Sequence, residues 1–188
     1  MRKEIKSLSP DHSIMTSPSW KSVFAIKKII INGHAQHGKD YFADAVAKAT
    51  GFKKLNASMW FAEKVLIPAF PGKWSCVEDA YLDRVNHRDL WYQMMRIGNW
   101  QAKFMEVSDI FCGHRNIDEH CRMVKTWKRG ECLRIWVEWQ GKPPEPVSSN
   151  QWSENDSAVA LEHDIIVRHA GKGVPDDILN DIVKRVQK

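Results

Sequence analysis

Residues 33–39 read GHAQHGK, and this segment constrains the fold of the chain more than any other. It follows the apolar run 29–31 and precedes the amphipathic segment 41–49, a pattern typical of a strand, a loop and a helix. A loop closed by glycines turns successive backbone N–H groups inward, and the following helix adds the positive end of its dipole. Because this arrangement holds an oxyanion, the sequence predicts a phosphate-binding loop.

The spacing of the two glycines and the lysine, G-x-x-x-x-G-K, matches the Walker A pattern of nucleotide-binding loops. Lys39 is expected to reach the β and γ phosphates and to act in catalysis. The alternative interpretation is a glycine-rich connection in an ordinary α/β domain. The residues predicted to bind the nucleotide are Gly33, His34, Ala35, Gln36, His37, Gly38, Lys39, Asp40 and Tyr41.

Length and charge limit the class of protein. The chain has 188 residues, of which 43% are apolar, so we expect a single domain over residues 23–188. Residues 1–22 show no periodicity that would bury a face and are predicted to be a mobile tail. The net charge of +5 favours polyanionic partners such as nucleotides or nucleic acid. Four cysteines without C-x-x-C spacing and the lack of an apolar leader or span predict a cytoplasmic protein.

Segments with strand and helix character alternate along the chain. The predicted strands are 23–32, 52–55, 109–112, 133–139 and 165–167. The predicted helices are 40–50, 59–66 (ended by Pro68), 78–104 (bent or divided at Gly98 and Asn99), 117–128 and 176–186. Right-handed crossovers give such a chain a parallel sheet with helices on both faces, which is an α/β fold. Ligands of these sheets bind at the carboxyl ends of the strands, where the 33–39 loop falls.

The loop together with Asp40 resembles the G-x-x-x-x-G-K-D loop of bacteriophage deoxynucleoside monophosphate kinases and their P-loop relatives. Segments 109–115 and 135–137 are similar to later strands of that family, and segment 164–171 with the closing helix is similar to its ending. The resemblance implies a three-layer P-loop NTPase fold of the nucleoside monophosphate kinase type. It also implies ATP and Mg²⁺ as cofactors, a phosphorylated nucleotide as product, and the cytoplasm of an infected bacterial host as location.

Two features depart from the family pattern. Tyr41 stands where the family usually has Thr, so Asp40 is the predicted Mg²⁺ ligand, with Asp109 or Asp83 as alternatives. The acceptor and lid region within 66–130 is rich in tryptophan and arginine. This composition leaves two acceptors open: a free deoxynucleoside monophosphate, or a 5-hydroxymethyluracil base within phage DNA, which a related group of phage P-loop enzymes phosphorylates during thymidine hypermodification.

Residues 83–89, DRVNHRD, offer the arginines and the carboxylate that in-line phosphoryl transfer needs. Helical spacing places Arg84 and Arg88 on one face, either as a clamp for the substrate phosphate or as a solvated face paired with Asp89. Asp83 is the predicted catalytic base or metal-orienting group, and a surface carboxylate is the alternative.

Three further residues complete the predicted acceptor side. Arg115 follows a strand end, where active-site residues collect, and is predicted to act in catalysis. Trp74 flanks the acceptor loop and is predicted to stack on a substrate base, as is Trp60, for which core packing is the alternative. A second class of function also fits the charge and the missing Ser/Thr hydroxyl: a non-catalytic nucleic-acid-binding protein with a degenerate P-loop. The expected partners are therefore a nucleotide or DNA, with no membrane, for a monomer or homodimer.

Overall fold

A computed structural model describes residues 13–16, 25–114, 117–127, 130–143, 162–170 and 173–187. The strands of its single sheet are β1 (Ser13–Thr16), β2 (Lys28–Asn32), β3 (Ile110–Cys112), β4 (Cys132–Trp139) and β5 (Ile165–His169). They lie in the order β1-β5-β4-β2-β3. Strands β2 to β5 are parallel, as the sequence predicts, and β1 is antiparallel to β5.

Strand β1 differs from the prediction, which assigned residues 13–16 to a tail without regular structure. Its four residues pair with Arg168, Val167, Ile166 and Ile165 of β5. An edge strand is held by backbone hydrogen bonds to its neighbour. Such pairing leaves little mark on the hydrophobic pattern, so the sequence did not indicate it.

The helices connect the strands and cover both faces of the sheet. They are α1 (Lys39–Thr50), α2 (Ala57–Phe61), α3 (Ile67–Ala69), α4 (Val77–Asp83), α5 (Arg88–Met95), α6 (Trp100–Val107), α7 (Ile117–Val124) and α8 (Asp176–Val186). A π-helical segment, Ala62–Leu66, joins α2 to α3. Within the ranges that the structure describes, no helix has the length and apolar character needed to cross a membrane.

Two helix ends show how well local signals predict boundaries. Gly51 follows α1 in the left-handed conformation, with φ 76°, and its N–H donates to the carbonyl of Ala47, as expected for a glycine just past a helix end. Pro68 does not end its helix, and the prediction there was wrong. Helical structure continues without a break from the π-helical segment through Pro68 and ends one residue later, at Ala69.

Alternate residues of β2 enter two separate cores because side chains on a strand point to opposite faces. Ile29 and Ile31 pack with α1 and α8 on one face. Ile30 packs on the other face with buried residues of α2, α4, α5, α6 and α7. The α/β class with helices on both faces of a parallel four-stranded sheet is therefore confirmed.

The point at which the strand order reverses indicates where a ligand can bind. The chain passes from β2 to β3 on one side of β2 and then to β4 on its other side, so the order reverses at β2. The predicted strand 52–55 contributes only an isolated parallel bridge between Lys54 and Ile110. Sheets of this kind bind ligands in the crevice beyond the carboxyl ends of the strands at such a reversal, which is where β2 enters the 33–38 loop.

Candidate functional site

The 33–38 loop crosses the carboxyl end of β2 in close contact with the neighbouring strands. A Cβ on Gly33 would collide with the carbonyl oxygen of Val137 in β4. Gly38 has φ 79° at the start of α1, and a Cβ there would lie 3.4 Å from the ring of His169. Glycine is therefore required at position 33 by the close approach of β4 and at position 38 by the left-handed backbone conformation.

Helix α1 presents its amino end to this loop. The first intrahelical hydrogen bond runs from the Phe42 N–H to the carbonyl of Gly38, at 2.9 Å. The N–H groups of the three preceding residues, Lys39, Asp40 and Tyr41, consequently have no partner within the helix. Together with the helix dipole they form a site suited to a phosphate group.

Lys39 extends from the loop towards the end of β3. A Cβ on Gly113 would lie 3.1 Å from Lys39 Cε, and the Gly113 N–H donates to the carbonyl of Ile31 at 2.8 Å. The Cys112 thiol is buried near the carboxylate of Asp40, and burial, strengthened by that carboxylate, raises the pKa of the thiol. Lys39 and Asp40 thus both face the crevice between β2 and β3.

Hydrogen bonds from β4, β5 and the segment after β4 hold the loop. His37 is 1% exposed; its Nδ1 accepts from the Trp139 N–H at 3.0 Å, and its carbonyl accepts from His169 Nε2 at 2.9 Å. Lys142 Nζ donates to the side-chain oxygen of Gln36 at 3.0 Å. Burial lowers the pKa of His37. The imidazole supports the loop, and the assignment of His37 to the nucleotide-binding residues stays a prediction.

A buried histidine cluster, which we define as His114, His120 and His163, surrounds Asn32 at the end of β2. Asn32 Oδ1 accepts from the His114 N–H at 3.0 Å, and Nδ2 donates to His120 Nδ1 and His163 Nε2 at 3.0 and 3.1 Å. His120 Nε2 in turn donates to the carbonyl of Glu162 at 3.1 Å. This network connects Asn32, the residue before Gly33, to the segment that follows β3 and to the segment that precedes β5.

Acidification should destabilise the folded chain through this cluster. Burial lowers the pKa of His120 to about 4, from 6.5 for an ordinary histidine, and lowers that of His114 as well. Between pH 6.5 and about 4 the unfolded chain therefore binds protons that the folded chain does not. We expect the free energy of unfolding to fall as the pH falls through that window.

Urea titrations at about pH 7.5, 6 and 5 would measure this dependence. The His120→Gln variant serves as a comparison, because it removes one of the shifted groups and should give a shallower slope. Equal unfolding free energies for the unmodified chain across this range would contradict the prediction.

The predicted acceptor residues Asp83 and Trp74 have a structural role instead. Asp83 accepts from Trp74 Nε1 at 2.8 Å and from Asn86 Nδ2 at 2.9 Å, and His87 Nε2 lies 3.2 Å from the same carboxylate. The hydrogen bond from Trp74 is the main cause that lowers the pKa of Asp83. Trp74 is 7% exposed and packs edge-on against Phe70. It therefore has no open ring face for a substrate base, and its stacking prediction was wrong.

The remaining predictions for the acceptor side concern Arg84, Arg88, Trp60 and Arg115. Helix α4 ends at Asp83 and α5 begins at Arg88, so Arg84 and Arg88 do not share one helical face. The guanidinium of Arg84 lies 4.3 Å from the ring centre of Tyr81. Trp60 packs against Trp100 in the core, at 6.5 Å between ring centres. Arg115 lies outside the described residues, so its catalytic role stays a prediction.

The Asp83→Asn substitution should lower the stability of the folded chain. The carboxylate is engaged by the side chains of Trp74 and Asn86, so its loss should weaken the packing of Trp74 and lower the melting temperature measured by circular dichroism. An unchanged melting temperature would contradict the structural role of this carboxylate.

Among the predicted metal ligands, Asp40 has the most suitable position. Asp109 precedes β3 at the opposite end of the sheet, where it accepts from Lys28 Nζ at 2.9 Å and the Lys53 N–H at 3.0 Å. Throughout the described ranges no group of three or more His, Cys, Asp or Glu is arranged to hold a metal ion. Mg²⁺ commonly binds one or two carboxylates together with the phosphates of a substrate. The single carboxylate of Asp40 fits an ion of this kind.

One cavity adjoins the loop, and a smaller one lies at the end of β3. The larger, of about 350 Å³, is lined by Gln36, Gly38, Tyr41, Phe42, Trp139, Val167, His169, Gly173, Val174 and Pro175. The smaller, of about 40 Å³, is lined by Ala57, Ser58, Met95, Trp100, Gln101, Phe111, Cys112, Gly113 and Glu119. The larger cavity lies on the side of β5 and α8, and the smaller lies on the side of β3. The sequence indicated Tyr41 but none of the other side chains that line the cavities away from the loop.

The site therefore combines a helix start suited to an anion, a lysine and an adjoining cavity. This arrangement suits a ligand with a phosphate chain and a larger group at its end. No family model, curated protein or solved structure matches the chain.

Proposed function

We propose that the protein is a kinase that transfers the γ-phosphate of ATP to a nucleotide acceptor. The observation that carries this proposal is the position of Lys39 beside Gly113, next to the N–H groups that open α1. Phosphoryl transfer needs cations and N–H donors placed around the transferring group, with little covalent chemistry from the protein. The loop would supply both at the carboxyl end of β2. These features support a three-layer P-loop fold of the nucleoside monophosphate kinase type.

The larger cavity supports a nucleoside as the end group of the donor. Its volume of about 350 Å³ is in the range of small-molecule sites. Val174 and Pro175 give it apolar walls, and Tyr41, which is 64% exposed, lines the cavity and would offer its ring for stacking on a base. A donor whose base occupies this cavity would pass its phosphates over Gly38 towards Lys39. In this proposal Tyr41 contacts the nucleoside of the donor, and Asp40 is the residue that would bind Mg²⁺.

Each group of the loop has a distinct task in this mechanism. The N–H groups at the start of α1 hold the phosphate chain, and the ammonium of Lys39 stabilises the charge that spreads over the transferring group. Asp40 would hold Mg²⁺ together with phosphate oxygens, and the bound ion would neutralise part of their charge. The buried network around Asn32 and His37 keeps the loop in place, so these donors need no rearrangement during the reaction.

The acceptor in this proposal is a nucleotide of one of two kinds. One is a free deoxynucleoside monophosphate; the other is a 5-hydroxymethyluracil base in phage DNA, to which the net charge of +5 would contribute affinity. We propose that either reaction takes place in the cytoplasm of an infected bacterium. The proposed partners are accordingly a nucleotide and, for the second acceptor, DNA.

Incubation of the full chain with γ-labelled ATP, Mg²⁺ and each acceptor in turn would test the proposal. Transfer of label to deoxynucleoside monophosphates or to hydroxymethyluracil DNA is the expected result. Absence of label on both acceptors would overturn the kinase proposal. If the protein then still binds DNA with an affinity that falls steeply with salt, a nucleic-acid-binding protein with a degenerate P-loop becomes the better account.

A further inference from the structure

We propose that Lys142 is a positioning residue of the phosphate loop: its ammonium holds Gln36 in the left-handed backbone conformation in which the loop binds a phosphate chain. This inference rests on the proposed function, because the loop concerned is the one assigned to the phosphates of ATP. It makes the shape of that loop depend on the segment after β4. The arguments come from the backbone of Gln36, from the contacts of Lys142 and from the place of Gln36 at the larger cavity.

The backbone of Gln36 has a conformation that is uncommon for a residue with a side chain. Its φ is 60°, and among the residues that the structure describes it is the only one other than glycine with a positive φ. In this conformation the Cβ comes too close to the following carbonyl oxygen, so it is unfavourable for a glutamine. A contact from outside the residue must therefore stabilise it.

The left-handed conformation has a direct use in an anion site. The sign of φ alternates along the loop: it is positive at Gln36 and Gly38 and negative at Ala35 and His37. Alternation of this kind turns successive N–H groups towards one side of the backbone, and the resulting concavity binds anions. If Gln36 moved to negative φ, part of this concavity would be lost, and the loop would bind a phosphate chain less tightly.

Lys142 makes two hydrogen bonds to Gln36 that stabilise this conformation. Its Nζ donates to the side-chain Oε1 of Gln36 at 3.0 Å and to the backbone carbonyl of the same residue at 3.3 Å. Both acceptors belong to groups attached to the Gln36 Cα, so one ammonium fixes the side chain and the backbone of that residue relative to each other. Hydrogen bonds from a charged donor are stronger than those between neutral groups, and they can offset the unfavourable backbone.

The end of β4 fixes the position of Lys142. The ammonium lies 5.3 Å from the centre of the Trp139 ring, within the range of a cation–π contact, and the Lys142 N–H donates to the carbonyl of Trp139 at 3.2 Å. The Trp139 N–H donates to His37 Nδ1 at 3.0 Å, so the same strand end also holds the next residue of the loop. Two consecutive loop residues are therefore tied to the segment 139–142.

A direct contact between Lys142 and the ligand is the alternative to a positioning role. Gln36 lines the larger cavity together with Gly38 and Trp139, whereas Lys142 does not line it. The two acceptors on Gln36 lie between the Lys142 ammonium and the site. This arrangement favours an effect of Lys142 that passes through Gln36, and the two roles give different results when residue 36 is changed.

The Lys142→Met variant tests the proposal first without any ligand. Methionine has a similar length but cannot donate to Gln36, so we expect residue 36 to leave the left-handed conformation for part of the time. The NMR coupling constants of residue 36, which depend on φ, should then differ from those of the unmodified chain. Lys184→Met, at an exposed position in the last turn of α8, removes the same charge and should leave them unchanged. Unchanged coupling constants in Lys142→Met would overturn the inference.

The second test measures the dissociation constant of a non-hydrolysable ATP analogue in the presence of Mg²⁺. We expect this constant to rise about fivefold to tenfold in Lys142→Met, because only the fraction of chains with the correct loop conformation binds the phosphates. Gln36→Gly adopts a positive φ without strain, so in this background Lys142→Met should change the constant by less than about twofold. An equal rise in both backgrounds would show that Lys142 acts on the ligand itself and would overturn the inference.

Failure of the proposed function gives a different result from failure of this inference. If the unmodified chain does not bind the analogue, the proposal that the loop holds the phosphates of ATP is overturned, while the coupling constants of the ligand-free chain still decide whether Lys142 holds Gln36. If the analogue binds Lys142→Met as tightly as it binds the unmodified chain, this inference is overturned and the kinase proposal stands.

Discussion

Replacement of Lys39 by methionine should lower kcat for phosphate transfer by about 10²- to 10³-fold, the loss typical of a single preorganised charge-stabilising group. The ammonium beside Gly113 is the cation of the described loop that faces the crevice. Methionine has a similar length but no charge, so the fold should persist while charge on the transferring phosphate is no longer stabilised. Single-turnover kinetics with labelled ATP would measure the chemical step.

Lys48→Met is the matched control for this variant. Lys48 is exposed in the last turn of the same helix, at the end away from the loop, so its substitution should change the rate by less than about twofold. If Lys39→Met folds normally and transfers phosphate as fast as Lys48→Met, the loop is not the site of the γ-phosphate.

Gly33→Ala should be among the most destabilising single substitutions in the chain. The new Cβ would collide with the carbonyl oxygen of Val137, and φ at this position is 156°. The β4 backbone is tied into the sheet and cannot move away cheaply. Overpacking and a backbone conformation that only glycine adopts easily should together lower the free energy of unfolding by about 3 to 5 kcal/mol. Urea denaturation followed by circular dichroism would measure the loss.

Gly51→Ala separates the two causes. Gly51 has φ 76°, yet a Cβ there would meet no atom within 4 Å. Only the conformational cost of a left-handed alanine applies, about 1 to 2 kcal/mol. Equal losses for Gly33→Ala and Gly51→Ala would show that the contact with β4 does not constrain the loop.

The parts of the fold that depend on local signals could be predicted from the sequence. The apolar run 29–31, the glycine-rich loop and Gly51 locate β2, the start of α1 and its end. Alternation of strands and helices then predicts a parallel sheet with helices on both faces. The predicted phosphate loop lies at the carboxyl end of β2 because a loop between a strand and the helix that follows it leaves the strand at that end.

The parts that depend on contacts between distant segments could not be predicted in this way. Asn32 is linked to His163, 131 positions away, and neither residue has a spacing that marks it. Asp83 carried a plausible catalytic pattern, but its hydrogen bond to Trp74 made it structural. Glu119 has no motif around it, and only the packing of α7 against the end of β3 brings it to the smaller cavity.

An NMR titration of the ¹⁵N-labelled chain with Mg²⁺ and a non-hydrolysable ATP analogue tests the central claim most directly. The account predicts saturable binding in which the largest shifts fall on the amides of Lys39, Asp40 and Tyr41, and AMP at the same concentration should not reproduce them. Saturable binding of the analogue that leaves these three amides unchanged, or no binding at millimolar concentration, would contradict the claim that this loop holds the phosphate chain.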